Sequence, residues 1–170
     1  MKTVRSAVAF VCLCLATTAS ADPVATVEVQ SPLLGTWVLD LTRMPDANGP
    51  LPKRVTYAWA DFGQGVWEGT IDIVAPDGGV RHMASRYTRD GRAVKIEGDQ
   101  LEADSVAVTT PAPNILVMGL AKGNRPGSTR VYSVSPNGKE LTESAVSVGD
   151  DGMPLVRTFH FTRMEPPAAR

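Results

Sequence analysis

Apolar and polar residues alternate along this chain with a period of two, and no stretch sustains the 3.6-residue period of an amphipathic helix. Short runs rich in β-branched and aromatic residues predict strands over 35–41, 53–60, 66–75, 80–88, 93–97, 105–110, 114–121, 128–135, 140–148 and 155–164. Between them stand Pro76-Asp77-Gly78-Gly79, Arg89-Asp90-Gly91-Arg92, Pro136-Asn137-Gly138-Lys139 and Asp150-Asp151-Gly152-Met153. Asp-Gly and Asn-Gly suit tight hairpins, whose central positions need positive φ. Four such signals imply an antiparallel meander. A meander of this length leaves two unpaired edges unless it closes on itself. The expected fold is therefore all-β: an antiparallel up-and-down barrel of about 8–10 strands. A two-sheet sandwich is the competing arrangement. It needs long connections that switch sheets, and only 98–104 and 122–127 have the length.

The hairpin formed by 66–75 and 80–88 indicates which side chains enter the barrel. A two-residue Asp77-Gly78 turn pairs Ile73 with His82, Ile71 with Ala84 and Gly69 with Arg86. One face then carries Trp67, Gly69, Ile71, Ile73, Val80, His82, Ala84 and Arg86, and it is the more apolar of the two. On this register His82 and Arg86 point inward beside Trp67. An interior arginine needs a partner or a ligand, so the pair could hold a carboxylate while apolar walls, with Tyr57 and Trp59, take the rest of a small molecule. The plainer alternative is that His82 is a satisfied wall residue and Arg86 snorkels to a barrel mouth or pairs with Glu97. A regular two-residue turn at Asp90-Gly91 would put Val94 and Ile96 on the opposite, polar face. A bulge or three-residue loop near 89–92 is expected to return them to the same side as His82. The run Ile115 to Ala121 is apolar on both faces, which fits either a wall strand covered from outside or a partner-facing patch.

The N-terminus changes the inventory. Lys2 and Arg5, an uncharged apolar run from Ala7 to Ala16, and Ala19-Ser20-Ala21 before Asp22 form the three parts of a secretory signal. The run is shorter than the roughly 20 residues a membrane span requires, so no membrane anchor is expected. Cleavage after Ala21 leaves 149 of the 170 residues, enough for one domain with its own core. It also removes Cys12 and Cys14, the only cysteines, and so excludes disulfides and thiol chemistry from the mature chain. The expected organisation is a signal peptide (1–21), a loose lead-in (22–32), a barrel domain (33–164) and a disordered tail (165–170), in the periplasm or secreted. The mature chain keeps 15 basic residues against 18 acidic ones, too mild an imbalance to suggest nucleic acid as partner.

The domain opens on Gly35-Thr36-Trp37-Val38-Leu39-Asp40-Leu41, which resembles the Gly-x-Trp first strand of lipocalin-like barrels. That resemblance implies that Trp37, preceded by Gly35, closes the barrel floor under a basic residue from the last strand. Arg163 is preferred over Arg157 because it lies near that strand's end. Pro52-Lys53-Arg54, Asp77-Gly78, Tyr87 with Asp90-Gly91, Thr129-Arg130-Val131 and Asn137-Gly138-Lys139 follow in an order that resembles small secreted bacterial lipocalin-like proteins of uncharacterised function. The resemblance implies a fold rather than an activity.

Candidate chemistry is sparse. His82 and His160 are the only histidines, and His160 is expected to face outward, opposite Phe159 and Phe161. A three-histidine zinc site is impossible, and nucleophile elbows, phosphate-binding glycine loops and calcium loops are absent from the sequence. No catalytic residue, metal or cofactor is assigned. The expected function is an exported barrel, monomeric or homodimeric, that binds a small apolar or carboxylate-bearing ligand. An envelope protein-interaction module with a packed interior and a barrel enzyme of isomerase or hydrolase type are the alternatives. The candidate ligand contacts are His82, Arg86, Trp67, Tyr57 and Trp59.

Overall fold

In the computed structural model, which describes residues 30–44 and 49–165, turn chemistry sets the strand boundaries. The expected signal peptide, nearly all of the lead-in and the tail after Glu165 lie outside those residues. The described chain forms eleven strands, β1 (Gly35–Leu39), β2 (Arg54–Asp61), β3 (Trp67–Val74), β4 (Val80–Tyr87), β5 (Asp90–Lys95), β6 (Glu97–Gly98), β7 (Ser105–Ala112), β8 (Ile115–Lys122), β9 (Arg125–Val134), β10 (Glu140–Val148) and β11 (Pro154–Arg163), and one 3-10 turn, Leu41–Arg43. All strand pairs are antiparallel, in the order β5-β7-β8-β9-β10-β11-β1-β2-β3-β4-β6. The all-β antiparallel barrel expected from the sequence is the fold. The strand count rises to eleven because the two-residue β6 forms beside Met83 and Ala84.

The barrel closes between first and last strands, with Trp37 opposite Arg163 and Leu39 opposite Phe161. On the other side it stays nearly closed. Strand β4 does not pair with β5: β4 takes β6 (Met83 opposite Gly98), and β5 takes β7 (Val94 opposite Val106). Because β5 and β6 are consecutive, the chain at Ile96 bridges this seam. Gly98 is required there: a Cβ would sit 2.2 Å from the His82 carbonyl oxygen, and its φ is +84°.

The β3–β4 hairpin corrects the expected register. Its loop has three residues, Pro76 to Gly78, closed by Ala75 N–H donating to the Gly79 carbonyl. Gly78 takes φ +98°, and the Asp77 carboxylate accepts from Gly79 N–H. A two-residue turn would place Pro76 in the closing pair, where a backbone N–H is needed and proline has none. The extra residue moves β4 by one, so Asp72 faces His82 and Glu68 faces Arg86. A one-residue slip turns every side chain of the strand over. Arg81, Met83, Ser85 and Tyr87 consequently share the face of Trp67, Gly69, Ile71 and Ile73, while His82 and Arg86 lie outside.

The irregularity expected near 89–92 takes a different form. Arg89 has φ +58°, and the register shifts between Asp90 and Ala93 in the ladder with β7 rather than with β4. Ile96 is buried and Val94 packs against the core. His82 therefore stands on the opposite face from Val94, contrary to the expectation that one face would hold both.

An aromatic cluster forms from β2, β9 and β11. Tyr57 lies against Phe161 at 4.7 Å between ring centroids, and edge-on to Tyr132 at 5.8 Å. Trp59 meets Tyr132 edge-on at 5.2 Å. These offset and T-shaped contacts suit the ring quadrupoles. Leu141 and Leu116 complete a fully buried layer.

Candidate functional site: an interior cavity beside the seam

Against that cluster, β2–β4 and β7–β9 surround a cavity of about 70 Å³, with Tyr57, Trp59 and Tyr132 forming one side and Ile71, Met83 and Met118 among the other lining residues. Its seam side is closed by Ile96, Glu102 and Ala103, from the chain that leads out of β5 through β6 towards β7. Most of the lining is apolar. Its charged members are Arg130 on β9 and Glu102 at the seam, and Arg130 connects them to Glu143 on β10.

Alternation in β9 sends Arg130, Tyr132 and Val134 inward, and alternation in β10 sends Leu141 and Glu143 inward. Glu143 stands opposite Tyr132. The Glu143 side chain is 1% exposed, and its carboxylate accepts from Arg130 Nη1 at 3.0 Å. The same nitrogen lies 3.3 Å from Tyr57 Oη. Arg130 Nη2 donates to Glu102, whose side chain is 53% exposed at the cavity's rim. A charge withdrawn from water is strongly penalised unless paired, and Arg130 meets that demand with one buried and one half-exposed carboxylate. Burial drives the Glu143 carboxyl above its usual value, although Arg130 opposes the shift. Burial, reinforced by the negative charge of Glu143, also raises the Tyr57 and Tyr132 phenols, so both remain protonated donors at neutral pH. Tyr132 Oη is buried and has no hydrogen-bond partner among the described residues.

The rim is fixed separately. Arg81, which the corrected register turns inward, forms a fork with Asp99, both contacts at 2.9 Å. Hydrogen bonding from Arg81 holds the Asp99 carboxyl down at about 2.

Of the residues expected to bind a ligand, Tyr57 and Trp59 line the cavity, and Trp67 is buried on the inner face towards the barrel floor. His82 and Arg86 do not join them. His82 Nδ1 lies 2.7 Å from Asp72 on the outer surface, and Arg86 Nε donates to Glu68 at 2.7 Å, rather than pairing with Glu97. His82 is therefore also unavailable to chemistry inside the barrel. At the floor, Arg163 lies over Trp37 with its guanidinium carbon 4.0 Å from the ring centroid, and Gly35 leaves room for it: a Cβ there would meet Arg163 Nη1 at 2.7 Å. Among the described residues there is no cluster of three or more histidine, cysteine, aspartate or glutamate side chains that could hold a metal.

Sequence reasoning missed Arg130, Glu143, Tyr132 and Glu102. A signal was available for three of them. Arg130 and Tyr132 alternate with Val134, and Glu143 alternates with Leu141, across the hairpin marked by Asn137-Gly138. Reading that hairpin as carefully as the one at Asp77-Gly78 would have placed an arginine and a glutamate on an apolar face together. Glu102 lies in an irregular connection, and no periodicity points to it.

No family model matches the chain, and no curated protein matches it. Among solved structures it is similar to two mutants of the fluorescent protein UnaG. One has a TM-score of 0.52 at 14% identity, over 79% of this chain and 98% of the other. The second has a TM-score of 0.51 at 14% identity, over 78% and 96% respectively. At this identity the likeness is one of fold: the chain is an antiparallel β-barrel.

Proposed function

We propose that this protein is an exported barrel that binds a small amphipathic molecule bearing a carboxylate or similar acceptor. The observation that carries the reading is the buried Tyr132 hydroxyl, unpartnered among the described residues and next to Arg130, at a mostly apolar cavity. A buried donor without an acceptor costs about 1–3 kcal/mol, and a ligand oxygen would recover it. The similarity to UnaG barrels is in keeping with an interior of this kind. The cavity is about half the ~150 Å³ known to accept benzene in an apolar protein core, so it encloses only a short apolar chain end against Ile71, Met83 and Met118, and the rest of a molecule the size of hexanoate lies at the rim beside Glu102. Arg130 and Tyr132 replace His82 and Arg86 as the proposed head-group contacts.

Calorimetric titration of the purified mature protein with hexanoate tests this. Binding is expected, and the double variant Arg130→Gln/Glu143→Gln, which removes both charges together, is expected to weaken it about tenfold or more. Undiminished binding would remove the head-group assignment. Export is proposed on the sequence of residues 1–21 alone. An intact mass from the native host that retains those residues would refute it.

A second reading has an observation of its own. Val146, Val148, Met153 and Val156 are exposed together on the β10–β11 hairpin, with Val146 directly opposite Val156. This favours a protein-interaction role alongside or instead of ligand binding. Absence of hexanoate binding, with the protein recovered ligand-free from its host, would favour it.

A further inference from the structure

Glu102 and Glu143 hold the same guanidinium in different ways. Glu143 is fully buried on β10, between Arg130 and Tyr57, and has nowhere to move. Glu102 comes from the segment between β6 and β7, is half exposed, and approaches the other side of Arg130 from the cavity's rim. We infer that Glu102 is a built-in competitor: its carboxylate occupies the place on Arg130 that a ligand's carboxylate takes, so that acidic ligands bind by displacing it. This rests on the proposed binding function and adds a residue that sets its selectivity.

Three features support exchange by the side chain rather than by movement of the whole segment. First, the segment's ends are pinned. Asp99 is held by the Arg81 fork and by donation of its N–H to the His82 carbonyl at 2.7 Å. Asp104 donates to the Ala121 carbonyl at 2.9 Å and accepts from Gly123 N–H at 2.7 Å. Lys122 Nζ also donates to the Gln100 carbonyl at 2.6 Å. Second, Glu102 is already half in water, so its carboxylate can rotate into solvent without the desolvation penalty that fixes Glu143. Third, Ala103 beside it is buried against the cavity while Leu101 is exposed, so the backbone already places Glu102 at the boundary between inside and outside.

The charge accounting is consistent with replacement. Glu102 leaving and a carboxylate ligand arriving leaves the charge around Arg130 unchanged. A neutral ligand gains nothing by displacing Glu102, because it would leave Arg130 short of a counter-charge. The competitor therefore suppresses weak acidic binders and gives a neutral ligand of the same shape no corresponding penalty. Gln at this position retains an acceptor for Arg130 but removes the charge that opposes the incoming anion.

The test compares hexanoate with hexanol, by calorimetry, on the mature wild-type chain and on Glu102→Gln. The substitution lies on a half-exposed connection, so the fold is expected to survive it. Hexanoate should bind about fivefold more tightly to the variant, the size expected from losing one partly exposed ion pair, and hexanol equally to both. If the ratio of the two affinities is the same in both proteins, the competitor role is overturned while ligand binding stands. If hexanol tightens as much as hexanoate, Glu102 acts as a steric plug rather than a competing charge, which also overturns it. If neither probe binds either protein, the binding function fails and takes this inference with it. Chemical shifts provide a second readout: in the wild type, hexanoate but not hexanol should move the Glu102 carboxyl carbon.

Discussion

Two tryptophans close the same end of this barrel under two arginines, and they are not held equally. Arg163 lies over Trp37, and Arg89 lies over Trp67 at 4.1 Å. Around the first pair the indole nitrogen and all three guanidinium nitrogens donate. Trp37 Nε1 donates to the Leu33 carbonyl at 3.0 Å, and Arg163 donates to the carbonyls of Gly138, Leu34 and Pro32. Around the second, Arg89 donates once, to the Gly65 carbonyl at 3.2 Å, and among the described residues Trp67 Nε1 and Arg89 Nε are buried without partners. The first pair joins β1 to β11, where the ladder is continuous. The second stands beside the seam, where β4 and β5 do not pair. The same stacking contact thus serves as a fastening in one place and as a loose cover in the other. What separates them is the hydrogen-bonded frame around each stack, since the stacking itself is worth only about 0.5–2 kcal/mol.

The cavity lies between the aromatic cluster and the seam, with Arg130 on β9 meeting Glu102 from the seam side, so the barrel divides into a continuous closure at β11–β1 and an interrupted one whose bridging residues border the cavity. The largest test of that division is Arg130→Met. It strands Glu143 in the interior and should cost about 3–5 kcal/mol in urea unfolding. A cost below 1 kcal/mol would mean that the buried pair is not the interior's main electrostatic demand. Next come Arg163→Ala and Arg89→Ala. The first loses three hydrogen bonds to carbonyls and should cost about 3 kcal/mol; the second should cost about 1 kcal/mol. Equal costs would break the comparison. A finer probe replaces each indole with a phenyl ring. Trp37→Phe orphans the Leu33 carbonyl and should cost about 1–2 kcal/mol beyond Trp67→Phe, which removes a donor that was never satisfied.

Acid should act on the seam side first. The folded-state pKa of Asp99 is depressed to about 2, so the stability it contributes is complete above its unfolded value and fades as the pH falls from about 4 towards 2. Amide exchange in the segment from Gln100 to Asp104 should therefore accelerate across that window, before amides near Trp37 respond. Simultaneous loosening of both sides would show that Asp99 does not hold the rim. The smallest expected effects belong to His82→Ala and Arg86→Ala, each within about 1 kcal/mol and without effect on hexanoate binding, because both ion pairs are exposed. A large loss of binding in either would restore the inward register.

Much of the barrel was legible in the sequence because its cues are local. Period-two alternation, Asp-Gly and Asn-Gly turns, and the length of each run all act within ten residues, and they locate strands whatever the rest of the chain does. Even the inner face of β3 was readable, since Trp67, Gly69, Ile71 and Ile73 sort by polarity alone. The register of β4 was lost by one residue at a single loop, where Pro76 excludes the shorter turn. That slip moved a histidine and an arginine from a supposed binding site to the surface.

What only the tertiary structure decided was which side chains meet. Arg130 and Glu143 are 13 residues apart, but Glu102, Tyr57 and Arg130 converge from three distant parts of the chain, and their encounter depends on barrel closure and the stagger between strands. The seam is of the same kind: its position follows from β4 taking β6 rather than β5, a choice made by competition among backbone partners that no single segment encodes. Local sequence thus determined an antiparallel barrel with a tryptophan at its opening strand. Long-range packing determined where the ladder is interrupted and which side chains line the cavity beside it.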